Sequence, residues 1–223
     1  MVTTHEQGRR PIPGGRSVYW QAWLPHDAAR GVVVVVHGIH EHSARYAHVG
    51  ARLAAAGFAV YAADHRGHGR SDGRRANIER MALIQQDLRS FVRFAAARHP
   101  GPLFMVGHSL GGLIALVYRG KIKARTGAEI LSVTQGLPTG LPRLSVPLLI
   151  LHGTADQICP LTGSMTVHEA VSSTDKTLHR YPGLYHEVFN EPEREQVLTD
   201  LISWLNDRSA SASAGATGST RSV

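Results

Sequence analysis

Three short aliphatic runs constrain this chain more than any other feature: GVVVVVHG at 31–38, PLFMVGHS at 102–109 and VPLLILHG at 146–153 each break off into a glycine-bearing turn. A strand that is apolar at every position, rather than at alternate ones, must be buried on both faces, so it belongs inside a sheet covered by helices on each side. A fourth strand, FAVYAADHRG at 58–67, fits between the first two, and the aromatic segment SVYWQAWL at 17–24 reads as an early edge strand. Within 79–98, Ile84, Leu88, Phe91, Val92 and Ala95 recur at helical spacing and build one stripe for packing on a sheet. Towards the end, Asn190 is placed to cap a helix with Pro192 in its first turn and Val197, Leu198, Leu201, Trp204 and Leu205 on its buried face. The expectation is an α/β fold with a mostly parallel sheet and helices on both faces.

A chain of 223 residues suits one domain with a substantial core. That domain is expected over residues 1–207, because from Arg208 onward the segment SASASAGATGSTRSV has nothing to bury and reads as a disordered tail, 208–223. The longest apolar run, Val32 to Val36, is far too short to cross a bilayer, and the opening residues lack the apolar stretch of a secretory signal. A cytoplasmic site is the default, with peripheral association with membrane or cell envelope left open. Cys159 is the only cysteine, which excludes an intramolecular disulfide and a multi-cysteine zinc site; it reads as a loop residue beside Pro160. The net charge of +7 comes largely from scattered arginines, and no motif of the kinds that read bases accompanies it. Nucleic acid is therefore not an expected partner.

Gly107-His108-Ser109-Leu110-Gly111 matches G-x-S-x-G, directly after one strand and before a helical pattern. The motif needs that context, because its serine sits on a sharp strand-to-helix turn where flanking side chains would clash. A serine hydroxyl is a weak nucleophile at neutral pH and needs a base, which in turn needs an orienting acid. In this architecture the order is Ser, acid, His. Asp156 stands in LHGTAD just past a strand end, and His186 stands in the loop before the last helix. Aspartates after strands often only shape turns, and Asp175 is a rival acid; His179 is the rival histidine, but it lies within a strand pattern. The tetrahedral oxyanion needs backbone donors, for which Leu110 and Ile39 are the candidates. His37, His40 and His42 fit no common metal spacing, and no metal is expected.

The chain resembles the monoacylglycerol lipases, within the hydrolases related to serine aminopeptidases. The motifs that carry this are HGIHEHSARY at 37–46, DHRGHGRSDG at 64–73, GHSLGG at 107–112, HGTAD at 152–156 and YPGLYHEVFNEPER at 181–194. The resemblance implies an α/β-hydrolase fold with a lid, release of a fatty acid from a single-chain glyceride, and no cofactor. It also implies that Ile39 and Leu110 match the oxyanion donors and that Glu41 and Arg45 match a polar pair facing the glycerol end. Two departures stand out. Where that family has a small residue and then glycine, this chain has Ile39 and His40. Between Ser109 and Asp156 there is room only for a crossover helix and one short helical piece, so a block holding the sixth strand and most of the lid is absent. The lid region is then reduced, and the strand bearing Ser109 must either pair directly with VPLLILHG or recruit residues near Ile130 to Val133.

The leading reading is a serine carboxylic ester hydrolase of monoacylglycerol lipase type, acting through an acyl-enzyme. A small-ester esterase or lysophospholipase is the alternative enzyme, and an inactive remnant or binding protein is the alternative from another class. The expected partner is a small lipid or ester substrate, with peripheral contact at a lipid surface and no obligate protein partner.

Overall fold

The computed structural model describes residues 3–120, 137 and 139–217. Its strands are β1 (Thr4–Ile12), β2 (Arg16–Leu24), β3 (Val32–Val36), β4 (Ala59–Ala63), β5 (Leu103–Gly107), β6 (Leu148–Gly153) and β7 (Lys176–Tyr181). Its α-helices include α1 (Ala47–Ala55), α2 (Met81–Ala96), α3 (Leu110–Gly120), α4 (Leu161–Ala170) and α5 (Arg194–Thr217).

Five strands form one sheet in the order β1-β2-β4-β3-β5, with β3 parallel to both β4 and β5 and the two N-terminal strands antiparallel. The crossed order follows from chain connectivity, since β3 and β4 are joined through α1, and β4 and β5 through α2. Val33 and Val35 of β3 face a core shared with α1 and α5, while Val32, Val34 and Val36 face a core shared with α2 and α3. All five valines are buried, each worth about 1.5–3 kcal/mol against exposure. The stripe expected of α2 is the one it buries: Ile84, Leu88, Phe91, Val92 and Ala95. Helices cover both faces, as the aliphatic runs require.

Several local expectations are corrected. SVYWQAWL is not the edge, because β1 pairs outside β2 along its full length, from Thr4 opposite Leu24 to Ile12 opposite Arg16. The Pro13-Gly14-Gly15 turn that joins them has positive φ at both glycines (89° and 69°). The last helix starts at Arg194 rather than after Asn190, whose N–H instead closes a turn on the Glu187 carbonyl at 2.7 Å. The disordered tail expected from Arg208 is helical through Thr217. Arg208 donates to Asp175 (Nε to Oδ2, 2.9 Å), stacks 4.1 Å over the Trp204 ring, and Ser209 beside it is buried. Those contacts anchor the helix, and the following alanines have the highest helix propensity of any residue.

The expected single sheet is also interrupted. Among the described residues β6 pairs only with β7, in parallel from Leu148 opposite Lys176 to Gly153 opposite Tyr181, and β5 does not pair with β6. The alternative filler, Ile130 to Val133, lies outside the described residues, as does the segment KIKARTGAEIL.

Candidate active site

Ser109 sits between the end of β5 and the first residue of α3, with φ 53°. A non-glycine residue there costs roughly 1–2 kcal/mol, the kind of strain a sharp strand-to-helix turn imposes on the residue at its tip. Glycine is obligatory beside it: a β-carbon on Gly111 would lie 1.9 Å from the Val36 carbonyl oxygen. Leu110, as first residue of α3, has an N–H with no acceptor inside the helix, and the helix dipole points its positive end at Ser109. The loop after β3 comes equally close, since a β-carbon on Gly38 would lie 3.2 Å from the Ser109 Cβ. Ile39 follows in the exposed turn, and His40 takes φ 60°, a conformation that glycine adopts without strain.

The predicted acid and base come from the other sheet. Asp156 stands in the turn after β6 and His186 in the loop after β7; His186 Nδ1 and Asp156 Oδ2 are 2.8 Å apart. Asp156 Oδ1 accepts the backbone N–H of Ile158 (2.8 Å) and Cys159 (2.9 Å), which fixes the carboxylate plane and leaves Oδ2 for the imidazole. Burial alone would raise the Asp156 carboxyl, but the Cys159 N–H, the His186 ring and the Ile158 N–H outweigh it and hold the group below the ordinary range. It is therefore ionised at neutral pH. No hydrogen bond joins Ser109 to His186; catalytic hydrogen bonds often tighten only in the substrate complex. Both rivals are engaged elsewhere: Asp175 with Arg208, and His179 at 3.5 Å from Asp200.

Sequence reasoning missed His108, hidden as the variable position of the serine motif. Its Nδ1 lies 2.9 Å from Glu41 Oε1 and its Nε2 lies 3.0 Å from the His186 carbonyl oxygen. Both ring nitrogens face acceptors, which only the doubly protonated imidazolium satisfies. Burial opposes that charge, but the Glu41 carboxylate and the His186 carbonyl prevail and raise the His108 pKa. Glu41 accepts the Tyr46 hydroxyl on its other oxygen at 2.6 Å and is buried. The resemblance puts Glu41 at the glycerol end of a substrate; here its side chain is sealed inside a Tyr46–Glu41–His108 chain that ends on the backbone of His186. Arg45 donates to Glu187, the next residue, at 2.5 Å and is half-exposed. Glu41 and Arg45 both reach the His186 loop, Glu41 through His108 and Arg45 through Glu187.

A metal set differs from the one weighed in the sequence. Asp156, Cys159 and His186 present ligand atoms that all lie within 4.8 Å of one another, a group that includes none of His37, His40 or His42.

Comparison with known proteins fits this geometry. The profile of a hydrolase family described as serine aminopeptidase, S33, matches residues 27–119 and 116–193, two stretches that meet where α3 ends. A monoacylglycerol lipase of Mycolicibacterium smegmatis is 33% identical over 262 aligned positions, covering 86% of this chain and 94% of the relative. The human monoglyceride lipase is 26% identical, covering 89% of each. Since 262 positions exceed the 223 residues present, the bacterial relative carries internal sequence that this chain lacks. Among solved structures, a monoacylglycerol lipase of Paleococcus ferrophilus superposes with TM-score 0.70 over 92% of this chain and 98% of its own, at 24% identity. A soluble variant of the Saccharomyces cerevisiae monoglyceride lipase gives 0.79 over 92% and 95%, at 19% identity.

Proposed function

Because this chain belongs to the serine aminopeptidase S33 family of α/β-hydrolases, we propose that it is a carboxylic ester hydrolase of the monoacylglycerol lipase type with Ser109, Asp156 and His186 as its triad. The observation that carries this reading is the 2.8 Å contact between His186 Nδ1 and an ionised Asp156, with the His186 carbonyl 3.0 Å from the ring of His108, the residue before the strained Ser109. Asp156 holds the His186 tautomer whose Nε2 is free to take the Ser109 proton as Oγ attacks the ester carbonyl. The tetrahedral oxyanion is received by the N–H groups of Leu110 and Ile39. His186 returns the proton to the leaving alcohol, and water then releases the acid from the acyl-enzyme by the same steps in reverse order. The catalytic unit is a single domain, and its substrate is a small lipid or ester.

Apolar side chains at the mouth support an ester with an acyl chain. Ile39 is 37% exposed, Ile158 72% and Tyr185 60%, and each lies within two positions of a proposed catalytic residue or is itself a proposed oxyanion donor. The same openness favours soluble esters: an acyl chain gains about 0.8 kcal/mol per buried methylene, and the block that would roof it is shortened. The experiment is hydrolysis of butyrate and palmitate esters of one alcohol, below micellar concentrations, by wild type and Ser109→Ala. Wild type is expected to turn over butyrate with the higher kcat/KM, and Ser109→Ala to lose about 10⁴-fold or more in kcat with unchanged circular dichroism. Ser109→Ala activity within a few-fold of wild type would sink the triad. A clear palmitate preference would instead show an intact acyl tunnel.

A further inference from the structure

His152 is a buried imidazole with work left over. It stands on β6, four residues before Asp156, and is 8% exposed. Its Nδ1 shares a hydrogen with Ser164 Oγ at 2.8 Å, while its Nε2 has no hydrogen-bond partner and lies 3.8 Å from Asp156 Oδ2. An unsatisfied buried nitrogen is costly, yet the fold keeps one beside Asp156. Around the same carboxylate lie Cys159 and His186, whose ligand atoms fall within 4.8 Å of one another and of Asp156. Cys159 is exposed, so the cluster opens to solvent at its sulfur.

A thiol, an imidazole and one carboxylate, with the unpartnered His152 Nε2 3.8 Å from that carboxylate, form a donor set that suits zinc and matches neither magnesium nor calcium, which favour oxygen ligands. Tetrahedral zinc at ordinary bond lengths puts neighbouring donors roughly 3.5 Å apart, so a group whose ligand atoms lie within 4.8 Å of one another needs only a small contraction to hold the ion. Bound there, Cys159 gives up its proton to solvent, and thiolate plus carboxylate cancel the double charge of the ion. We propose that Asp156, Cys159 and His186, faced by His152, form an inhibitory site for a zinc-class divalent cation.

Inhibition follows whichever nitrogen of His186 the ion takes. Coordination at Nδ1 leaves the ring proton on Nε2, which then cannot accept the hydrogen of Ser109; coordination at Nε2 occupies the basic lone pair itself. This consequence rests on the catalytic reading given above, whereas binding does not.

The test uses the full chain, freed of metal, in two parallel titrations with zinc chloride: competition against a chromophoric chelator, and hydrolysis of a butyrate ester. One zinc per chain is expected, with activity falling in proportion to occupancy, restored by EDTA and untouched by magnesium. Cys159→Ser should weaken zinc by at least about tenfold, and His152→Gln should also weaken it. Ser109→Ala, though hydrolytically dead, should bind zinc like wild type. Equal zinc affinity in wild type, Cys159→Ser and His152→Gln would overturn the site. Stoichiometric binding that leaves wild-type hydrolysis intact would overturn its inhibitory role. A wild type without esterase activity would count against the catalytic reading and remove the inhibitory role, with the chelator titration still deciding the site.

Discussion

The two sheets take strands of similar apolarity to different ends. VVVVV in β3 is buried at every position, while the four aliphatic residues of LLILHG in β6 remain only partly buried. β3 has a strand on each edge and helices on both faces; β6 has β7 on one edge and, among the described residues, no ladder on the other. The helices repeat the contrast, since α2 buries a full face and α4 buries no residue completely. Composition thus qualifies a strand for the core, but its neighbours decide how much of it gets there.

This contrast matters because the proposed triad is divided along it. Ser109 and both oxyanion candidates belong to the five-stranded region, whereas Asp156 and His186 follow β6 and β7. Without a β5–β6 ladder, other links set the distance between nucleophile and base. His108 bonds the His186 carbonyl, Arg45 pairs with Glu187, His48 donates to the Phe189 carbonyl at 2.7 Å, and Arg52 reaches Glu195 at 3.0 Å. Beneath them Val188, Phe189, Val197 and Leu198 share a core with Val33, Val49 and Leu53.

The sharpest way to break the division is His108→Leu. It strands the buried Glu41 charge and cuts the His186 link, so a loss of about 3–5 kcal/mol is expected, read from urea denaturation. Hydrogen exchange should then quicken more in β6 and β7 than in β3 and β4; uniform quickening would mean that His108 does not join the two regions.

Acid probes the five-stranded region. The His37 and His65 rings lie tilted with centroids 4.0 Å apart, and His37 Nε2 accepts the His65 backbone N–H at 2.9 Å, which requires an uncharged His37. Burial, helped by neighbouring imidazoles, pushes His37 well below its ordinary value; burial brings His65 down to about 4. The unfolded chain then binds more protons than the folded one between about 6.5 and about 4, and stability should drop by about 2–4 kcal/mol as pH falls through that window. His108, with its raised value, works in the opposite sense: its contribution is full below about 6.5 and is lost as pH rises through its folded value. Thermal melts across pH should show the acid loss in wild type and a flatter limb in His65→Gln; equal limbs would remove the cluster from the account.

The smallest effect is local. His40→Gly should raise stability by about 1 kcal/mol by relieving the positive φ, a gain read from the shift in urea midpoint. Destabilisation would mean that the His40 side chain contributes more than its backbone costs.

Much of this was legible in the sequence, for reasons that can be located. β3, β4, β5 and β6 announce themselves by unbroken aliphatic runs, and α2 by its spacing, because burial on a covered sheet leaves a strong pattern. Ser109, Asp156 and His186 stand out because strand ends and glycine turns mark them. β1 was missed because an edge strand needs few apolar residues, and THEQGRRPI buries only Ile12. The helix beyond Arg208 was missed because its anchors, Asp175 and Trp204, are remote or look ordinary. His108 and His152 were invisible because their importance lies in which acceptors they meet, which only the fold decides.

The central claim is that a divided triad still activates Ser109. Reaction of the intact chain with a fluorophosphonate probe, followed by peptide mass mapping, tests it most directly, because the probe needs an activated serine rather than a particular substrate. The account predicts one adduct, on Ser109, that is absent in His186→Ala; no adduct on the folded protein, or labelling of Ser109 that persists without His186, would contradict it.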